Sequence, residues 1–266
     1  MGQSLGQALN DFVSGAQGIY NTFVSTEVFS IGGWTISQYT LWMFIGLAVV
    51  LFLILYTAKH LQLVPENKFF NTIEFGYTFV KGSIGEDVIG AGFEKHVPFL
   101  ATLFFFIVTA NVLGLVPGFK ASTGTISITW ALSLISFVYF NFYGIKELGL
   151  GRYLASLAPK AVPGPMKPVI WVLEFFSMVI RLLTLAVRLY GNMLSGHMIL
   201  GVFSIATTVF MQYCFFTADF ITGAIGVVWF ILLIAMYALE TLVAFLQAYV
   251  FTILSASYIG LAVHPH

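Results

Sequence analysis

The sequence predicts an all-α integral membrane protein. Of its 266 residues, 59% are hydrophobic and only 8% are charged, whereas soluble domains are about 25% charged. Apolar runs recur along the chain, and most are as long as the roughly 20 residues that a helix needs to cross a bilayer. We therefore expect about five membrane-crossing helices in a single membrane domain, residues 40–262, between an N-terminal segment, residues 1–39, and a short tail, residues 263–266.

Three of the predicted spans have the length of ordinary membrane helices, and two are much longer. The second span ends at Pro117 and Gly118, and the loop after the third span is rich in Gly and Pro, which interrupt helical periodicity. The predicted spans cover about 40–58, 98–117, 123–145, 169–208 and 216–262.

The more polar stretch between the first two spans has the periodicity of an amphipathic helix. An apolar arc and an adjoining polar arc follow from a rotation of about 100° per residue. The apolar arc comprises Phe69, Phe70, Ile73, Tyr77 and Val80, and the polar arc comprises Asn71, Glu74, Thr78 and Lys81. Phe75 and Phe79 fall outside the apolar arc. The pattern predicts one interfacial helix within residues 66–93, lying along the membrane surface.

The last two apolar segments, about 169–208 and 216–262, are each about twice the length of a perpendicular span. A helix of 40 residues is about 60 Å long, against a hydrocarbon core of about 30 Å. We therefore expect both segments to be strongly tilted, bent or broken, and to pair as a hairpin. Such a hairpin suits a wall packed against a cylinder better than it suits an upright helix bundle.

The distribution of Lys and Arg predicts the orientation. The loops 59–96 and 146–168 carry four each, the turn 118–122 carries one, and the remaining two lie within the membrane. Because positive residues accumulate on the cytoplasmic side, residues 1–39 are expected outside the cytoplasm and residues 263–266 inside. The first 39 residues contain no Lys or Arg, so the positively charged start of a cleavable signal peptide is missing.

Composition and motifs exclude several classes of function. The net charge is zero, which argues against a nucleic-acid surface. The single cysteine, Cys214, cannot form an intrachain disulfide or a cysteine-cluster metal site. The sequence has no glycine-rich phosphate loop, no His-Glu-x-x-His motif and no nucleophile elbow. We therefore expect neither an enzyme nor a bound cofactor or metal.

Arg188 is the residue that most needs a functional explanation. It lies in the fourth apolar segment, in the run LAVRLYGNMLSGH, residues 185–197. A cation at the centre of a membrane helix costs roughly 2.5–3.5 kcal/mol on insertion scales, and arginine cannot lose its proton to escape that cost. The site must therefore supply an acidic partner, water or both, which makes Arg188 a functional candidate.

A polar stripe on the same helix contains Arg188. On a helical wheel, several polar residues fall within about 40° of it. They are Glu174, Ser177, Arg181, Thr184, Asn192 and Ser195. Such a face must be covered by protein or water in a membrane. Its first part, with Glu174, Ser177 and Arg181, leads from Arg188 toward the cytoplasmic loop.

A second polar group is predicted on the outer side of Arg188. His197 follows it by nine residues, and Glu240 and Gln247 share a face of the last helix, as does Tyr258. Antiparallel pairing of the two long helices can bring His197 near Glu240, and histidine titrates near neutral pH.

Asn111 in the second span is a further polar group at membrane depth, and an interhelical hydrogen bond explains it as well as a transport role does. The two polar groups, inner and outer, are separated by a fixed cation and so describe a discontinuous ion path.

Two segments resemble the signature of subunit a of the F-type ATP synthase. They are RLYGNMLSGH, residues 188–197, and LQAYVFTILSASYIGLA, residues 246–262. Glu174, fourteen residues before Arg188, and Asn111 in TANVLGLVP also match positions of that family. The resemblance covers about residues 40–262.

The resemblance implies a role for each candidate residue. Arg188 matches the arginine that faces the rotating ring of c subunits, and Gln247 matches the glutamine that approaches it. His197 and Glu240 match a pair in the outer proton channel, and Glu174 matches an inner position. Arg181 stands where some members carry lysine. Gly114 stands where some carry an acid, so the outer channel here has one carboxylate fewer.

The implied protein is a non-catalytic stator subunit with two offset half-channels that couple a proton gradient to ATP synthesis. Its implied partners are the c-subunit ring, the b subunits of the peripheral stalk, the rest of the complex and membrane lipid. Its implied location is the bacterial inner membrane, or alternatively the mitochondrial inner membrane. H⁺ and Na⁺ both remain open as the coupling ion, because the ring carries that selectivity.

Two other classes of function remain as alternatives. A secondary ion transporter or channel could use an Arg/Glu/His relay, but internal repeats typical of transporters are not apparent. An intramembrane hydrolase or metalloenzyme could use His197 and Glu240, but it would need a third ligand or a nucleophile beside them.

Overall fold

The secondary structure is almost entirely helical, as the sequence predicts. The computed structural model of the chain describes residues 2–23, 27–31, 34–59, 68–116, 119–156, 166–217 and 220–263. The tail beyond Val263 and the side chain of Cys214 lie outside the described residues.

The described part of the chain comprises nine α-helices and one short β-hairpin. In chain order they are α1 Gly2–Phe23, β1 Glu27–Ile31, β2 Trp34–Ser37, α2 Gln38–Lys59, α3 Lys68–Phe79, α4 Asp87–Ile89, α5 Val97–Leu115, α6 Ile126–Leu148, α7 Leu150–Ser156, α8 Lys167–Thr217 and α9 Phe220–Val263. A π-helical segment, Val80–Glu86, joins α3 to α4. The strands pair antiparallel just before α2, and this hairpin was not predicted.

Five of these helices are long and apolar enough to cross a membrane, which confirms the predicted membrane fold. Their apolar portions are Gln38–Thr57, Val97–Leu115, Ile126–Leu148, Lys167–Gln212 and Ala224–Val263. Helix α8 continues beyond the predicted end at residue 208 because residues 209–217 contain no Gly or Pro. Pro168 lies in its first turn, where the missing N–H has no helical partner in any case.

Helices α8 and α9 form an antiparallel hairpin with a constant register. Near its closed end the two helices are close: a Cβ added to Gly226 of α9 would lie 3.1 Å from the Met211 nitrogen of α8. Midway, Gly196 packs against the carboxylate of Glu240. At the open end, the Arg181 guanidinium lies over the ring of Tyr258. By helix rise, the 51 and 44 residues of the two helices span about 76 and 66 Å.

Helices α5 and α6 pack against the middle and open end of this hairpin. The largest buried side chains of the core include Leu100, Ile107, Leu189, Phe251 and Ile259. Hydrogen bonds from serines reinforce the packing of α6. Ser133 Oγ donates to the Leu182 carbonyl of α8 at 2.6 Å, and Ser136 Oγ donates to Ser255 Oγ of α9 at 2.9 Å.

A helical arm, formed by α3, the π-helical segment and α4, occupies residues 68–89, within the range predicted for the interfacial helix. Phe79 lies outside the apolar arc of an ideal helix, yet its ring packs 5.6 Å from that of Tyr249 on α9. A π-helix has a different number of residues per turn, so the arm presents a new face to the core from Val80 onward. Gly90 and Gly92, with φ of 76° and 86°, then turn the chain into α5.

Candidate functional site

The side chain of Arg188 is exposed on the surface of α8. Its neighbours Val187 and Leu183 are 45% and 46% exposed, so exposed apolar side chains border the polar stripe that contains the cation. Within the described ranges, Arg188 makes no hydrogen bond or ion pair with another residue. One helical turn further on, Gly191 has no atom within 4 Å of where a Cβ would lie. This surface can therefore receive another molecule closely.

The structure brings Glu174 and Arg181 of the inner polar group into contact. Arg181 Nη2 donates to Glu174 Oε1 at 2.9 Å. The two residues lie on the same face of α8, two turns apart. Ser177 lies between them on that face and is half-buried. The wheel placed Tyr258 on the face of Glu240 and Gln247. In the structure Tyr258 lies at the open end of the hairpin, and its ring centre is 5.5 Å from the guanidinium carbon of Arg181.

Tyr153 and Asn141 extend the inner group, and sequence reasoning missed both. The Tyr153 hydroxyl donates to Asn141 Oδ1 at 2.8 Å, and its ring fills the space in front of Gly144. Burial raises the pKa of Tyr153, and the positive charge of Arg181 opposes that rise. A tyrosine in a short helix after a span gives no periodic signal, so only the tertiary packing reveals it.

Asn111 joins three elements on the outer side. It is 0% exposed, and its Nδ2 donates to the Ala244 carbonyl of α9 at 3.2 Å, while its Oδ1 accepts from the Thr123 hydroxyl at 2.7 Å. Ala244 lies on α9 between Glu240 and Gln247, so Asn111 lies level with the outer group. The amide is hydrogen-bonded on both sides, which establishes its packing role.

Glu240 lies against the backbone of α8 at Gly196, the residue next to His197. A Cβ at Gly196 would overlap the Glu240 carboxylate, so a glycine is required there for the carboxylate to reach α8. His197 and Glu240 therefore lie at the same level along the hairpin. Among the described residues they form no ion pair or hydrogen bond with each other.

Buried polar atoms without a hydrogen-bond partner are concentrated in the outer group. Of six such side-chain atoms in the described ranges, four belong to α8 and α9. They are Asn192 Nδ2, His197 Nε2, Glu240 Oε1 and Gln247 Nε2. A buried donor or acceptor left without a partner costs about 1–3 kcal/mol, so these four atoms favour water or another polar group as a ligand.

The two polar groups lie on opposite sides of Arg188 along the hairpin. By helix rise, Arg181 is about 10 Å from Arg188 toward the open end, and His197 is about 13 Å from it toward the closed end. The register that pairs Gly196 with Glu240 places Gln247 opposite Leu189, beside Arg188. A buried amide from α9 thus reaches the level of the exposed cation.

Comparison with known proteins identifies the family. The family model described as "ATP synthase A chain" matches residues 40–260. The chain belongs to this family. Three relatives that are each named "ATP synthase subunit a" illustrate the similarity. The protein of Brucella ovis is 40% identical over 196 residues, covering 72% of this chain and 74% of the relative. The protein of a Nocardioides species is 36% identical over 224 residues, covering 81% and 78%, and that of Chloroherpeton thalassium is 33% identical over 243 residues, covering 88% and 68%.

Gly114 lies at the end of α5, and the sequence resemblance implies an acid at this position in some members of the family. In this chain a Cβ at Gly114 would overlap Ala121 and lie 2.6 Å from its Cα. The turn before α6 therefore occupies the space that a carboxylate side chain would need. Position 114 therefore adds no carboxylate to the outer group, whose carboxylate is that of Glu240.

Proposed function

We propose that this chain is the stator subunit a of a rotary F-type ATP synthase. Its two polar groups form offset half-channels that carry protons to and from a rotating ring of c subunits. It spans the bacterial inner membrane several times and works with the c ring, the b subunits of the peripheral stalk and membrane lipid. It has no catalytic site itself, and the complex makes ATP elsewhere.

The observation that carries this proposal is the exposed, unpaired cation of Arg188 on a helix whose neighbouring surface is apolar. A charge in that position is costly unless another molecule supplies a countercharge. Within the described ranges its own chain supplies none. A carboxylate on a ring that rotates past α8 meets the need, and the bare backbone at Gly191 allows its close approach.

The outer half-channel delivers protons to the ring. A proton from outside moves through the group that contains His197, Glu240 and Gln247, with Asn111 and Asn192 beside it. Histidine and a carboxylate can exchange protons near neutral pH. The proton neutralises a ring carboxylate, which can then face lipid without the cost of a buried charge.

The inner half-channel releases protons to the cytoplasm. After almost a full turn, the protonated carboxylate reaches the region of Glu174, Ser177 and Arg181, with Tyr258 packed beside it. The positive charge of Arg188 favours the ionised carboxylate, so the proton leaves by the inner path. The same charge repels protons and keeps the two half-channels from exchanging directly.

The driving force comes from the membrane potential and the proton gradient. A proton that crosses 100 mV releases about 2.3 kcal/mol. Because the two half-channels are offset, a proton can cross the membrane only while bound to a carboxylate of the ring. Each crossing therefore turns the ring.

The test is the substitution Arg188→Ala in the assembled complex, reconstituted into vesicles. We expect loss of proton-driven ATP synthesis with assembly unchanged. Arg188→Lys should also be severely impaired, because an ammonium differs from a guanidinium in geometry and in its ability to lose a proton. ATP synthesis at near wild-type rates in the Arg188→Ala complex would refute the proposal.

A matched control removes an arginine outside the proposed path. Arg152 is exposed on the short helix α7, and Arg152→Ala should leave proton-driven synthesis unchanged. Loss of ATP synthesis in both variants would indicate defective assembly of the complex rather than interruption of the proton path.

A further inference from the structure

The N-terminal helix α1 packs across the closed end of the α8–α9 hairpin. The Phe12 ring lies 6.2 Å from that of Trp229 on α9, and the backbone at Gly15 is so close to α8 that a Cβ would lie 2.8 Å from Ile205 Cγ2. These contacts belong to a separate small core, which is built around Ala206 and Phe210 and includes Val209 and Ile225. Helix α1 thus bridges both arms of the hairpin.

Helix α1 is amphipathic, and only part of its apolar arc is covered by protein. On a helical wheel Phe12 and Gly15 lie on the packed edge, while Leu9 and Val13 lie about 60° and 100° from Phe12 on the other side. Leu9 is 46% exposed and Val13 is 50% exposed. The opposite face is polar and exposed, with Gln7, Asn10, Asp11 and Ser14.

Exposed apolar residues of the hairpin also lie beside the residue of α9 that contacts α1. Val227 and Val228, beside the Trp229 that contacts α1, are 48% and 56% exposed on an apolar portion of α9 that is long enough to cross the membrane. The polar face of α1 carries no Lys or Arg, so anionic lipid headgroups are not its anchor. Buried apolar area is the remaining source of membrane affinity.

We propose that α1 lies in the outer water–lipid interface, where Leu9 and Val13 insert among lipid acyl chains while Phe12 and Gly15 hold the two arms of the hairpin together. Its polar face is then in water outside the membrane, on the side where the Lys and Arg count places the N-terminus.

This position gives α1 a second role, which rests on the proposed function. By helix rise, Ile205 is about 12 Å from His197 along α8, and Trp229 is about 16 Å from Glu240 along α9. Helix α1 therefore fixes the spacing of α8 and α9 just outside the outer polar group. A shift there changes how Glu240 meets Gly196 and His197.

The first experiment measures where α1 lies and does not depend on rotary function. Single nitroxide labels are placed at positions 9 and 13, and at 7 and 14 as controls, by substitution to cysteine in a Cys214→Ala chain. The full complex is reconstituted in vesicles with its outer side exposed. Labels at 9 and 13 should collide with oxygen, which concentrates in lipid, more than with a nickel chelate added outside. Labels at 7 and 14 should show the reverse.

Two outcomes of the labelling overturn the proposal. If labels at 9 and 13 collide mainly with the chelate, that edge faces water. If they collide with neither reagent, another protein covers it and the partner is not lipid. Either result can occur while Arg188→Ala still abolishes ATP synthesis, so the failure of this inference is distinct from the failure of the proposed function.

The second experiment inserts a wedge between α1 and α8. Gly15→Leu should lower proton-driven synthesis roughly 10-fold, within what an ångström-scale misplacement can cost. Ile205→Ala added to it should restore much of the rate. Gly6 has no atom within 4 Å of a Cβ position, so Gly6→Leu is the matched control and should have no effect. Normal activity of Gly15→Leu, or a loss that Ile205→Ala does not relieve, would overturn the bridging role.

Discussion

The outer polar group depends on single residues that are costly to bury. His197 and Glu240 come from different helices, and the carboxylate reaches α8 only at Gly196. Both carry a buried atom without a hydrogen-bond partner in the described ranges. If the proposed function is right, they act as one unit in proton uptake, because neither is satisfied by the fold.

A double-mutant cycle tests this coupling. His197→Ala, Glu240→Gln and the double variant should each slow ATP-driven proton pumping in vesicles. The logarithmic loss in the double variant should be smaller than the sum of the two single losses, since residues in one network are not additive. Simple addition would contradict a shared relay. Unchanged pumping in both single variants would move the outer path to Asn111 and Gln247.

Gly196 is the residue that lets the carboxylate of Glu240 approach α8. We expect Gly196→Ala to displace Glu240 and to slow pumping, while leaving helix formation favoured, because alanine is the better helix former. Adding Glu240→Asp, which is one methylene shorter, should recover part of the rate. Gly151, which has open space around it, supplies the control: Gly151→Ala should pump normally. A fully active Gly196→Ala complex would disprove the positional role of Gly196.

Among the elements, the start of α5 packs against α6 through a buried histidine that lies outside the proposed path. His96 is 2% exposed, its Nδ1 lies 3.2 Å from the Tyr139 hydroxyl, and the ring of Tyr143 lies 4.7 Å away. Burial lowers the pKa of His96. The negative charge of Glu147 opposes this effect, and the positive charge of Lys95 adds to it. His96 is therefore neutral in the folded protein at neutral pH.

This lowered pKa predicts a pH dependence of stability. Above the unfolded pKa of about 6.5, both folded and unfolded forms are neutral at His96 and the full stability is present. As the pH falls from about 7 toward about 5, the unfolded form binds a proton that the folded form does not, so the free energy of unfolding decreases until the folded pKa is reached.

Thermal unfolding of the purified protein in detergent, measured across that pH range, provides the comparison. His96→Gln should flatten the dependence on pH. Tyr139→Phe, which keeps the histidine, should retain its slope. An equal slope in the wild type and in His96→Gln would mean that another group causes it.

At the scale of the whole molecule, the length of the hairpin decides its orientation in the membrane. Val169 and Ile199 are both exposed apolar residues of α8. They are 30 residues apart, about 45 Å along the helix, whereas the hydrocarbon core is about 30 Å thick. An upright α8 would place at least one of them outside the core, and a strongly tilted α8 would keep both inside.

Photoreactive groups on lipid acyl chains distinguish these arrangements. In the reconstituted complex, residues 169 and 199 should both cross-link to acyl-chain probes, while Lys95 and Glu147, which form a 3.3 Å ion pair at an exposed surface, should not. Cross-linking at only one of the two α8 positions would indicate an upright helix with a soluble end.

Local chemistry made much of this molecule predictable. The length of an apolar run is a property of the chain itself, so the five spans and the two long helices follow from composition and bilayer thickness. Arg188 stands out for the same reason, because a permanent charge in such a run is costly wherever the helix packs. Glu174 and Arg181, two turns apart on one helix, were also placed on one face by spacing alone.

Only the tertiary structure decided which groups from different elements meet. Antiparallel pairing placed Glu240 against Gly196 and moved Tyr258 to the inner group, because the register depends on packing along the whole hairpin. Phe79, the last residue of α3, packs against Tyr249 of α9, a contact that an ideal wheel cannot predict. Helix α1 shows the same limit: its periodicity is local, but its contacts with Ile205 and Trp229 arise only where two distant helices come together.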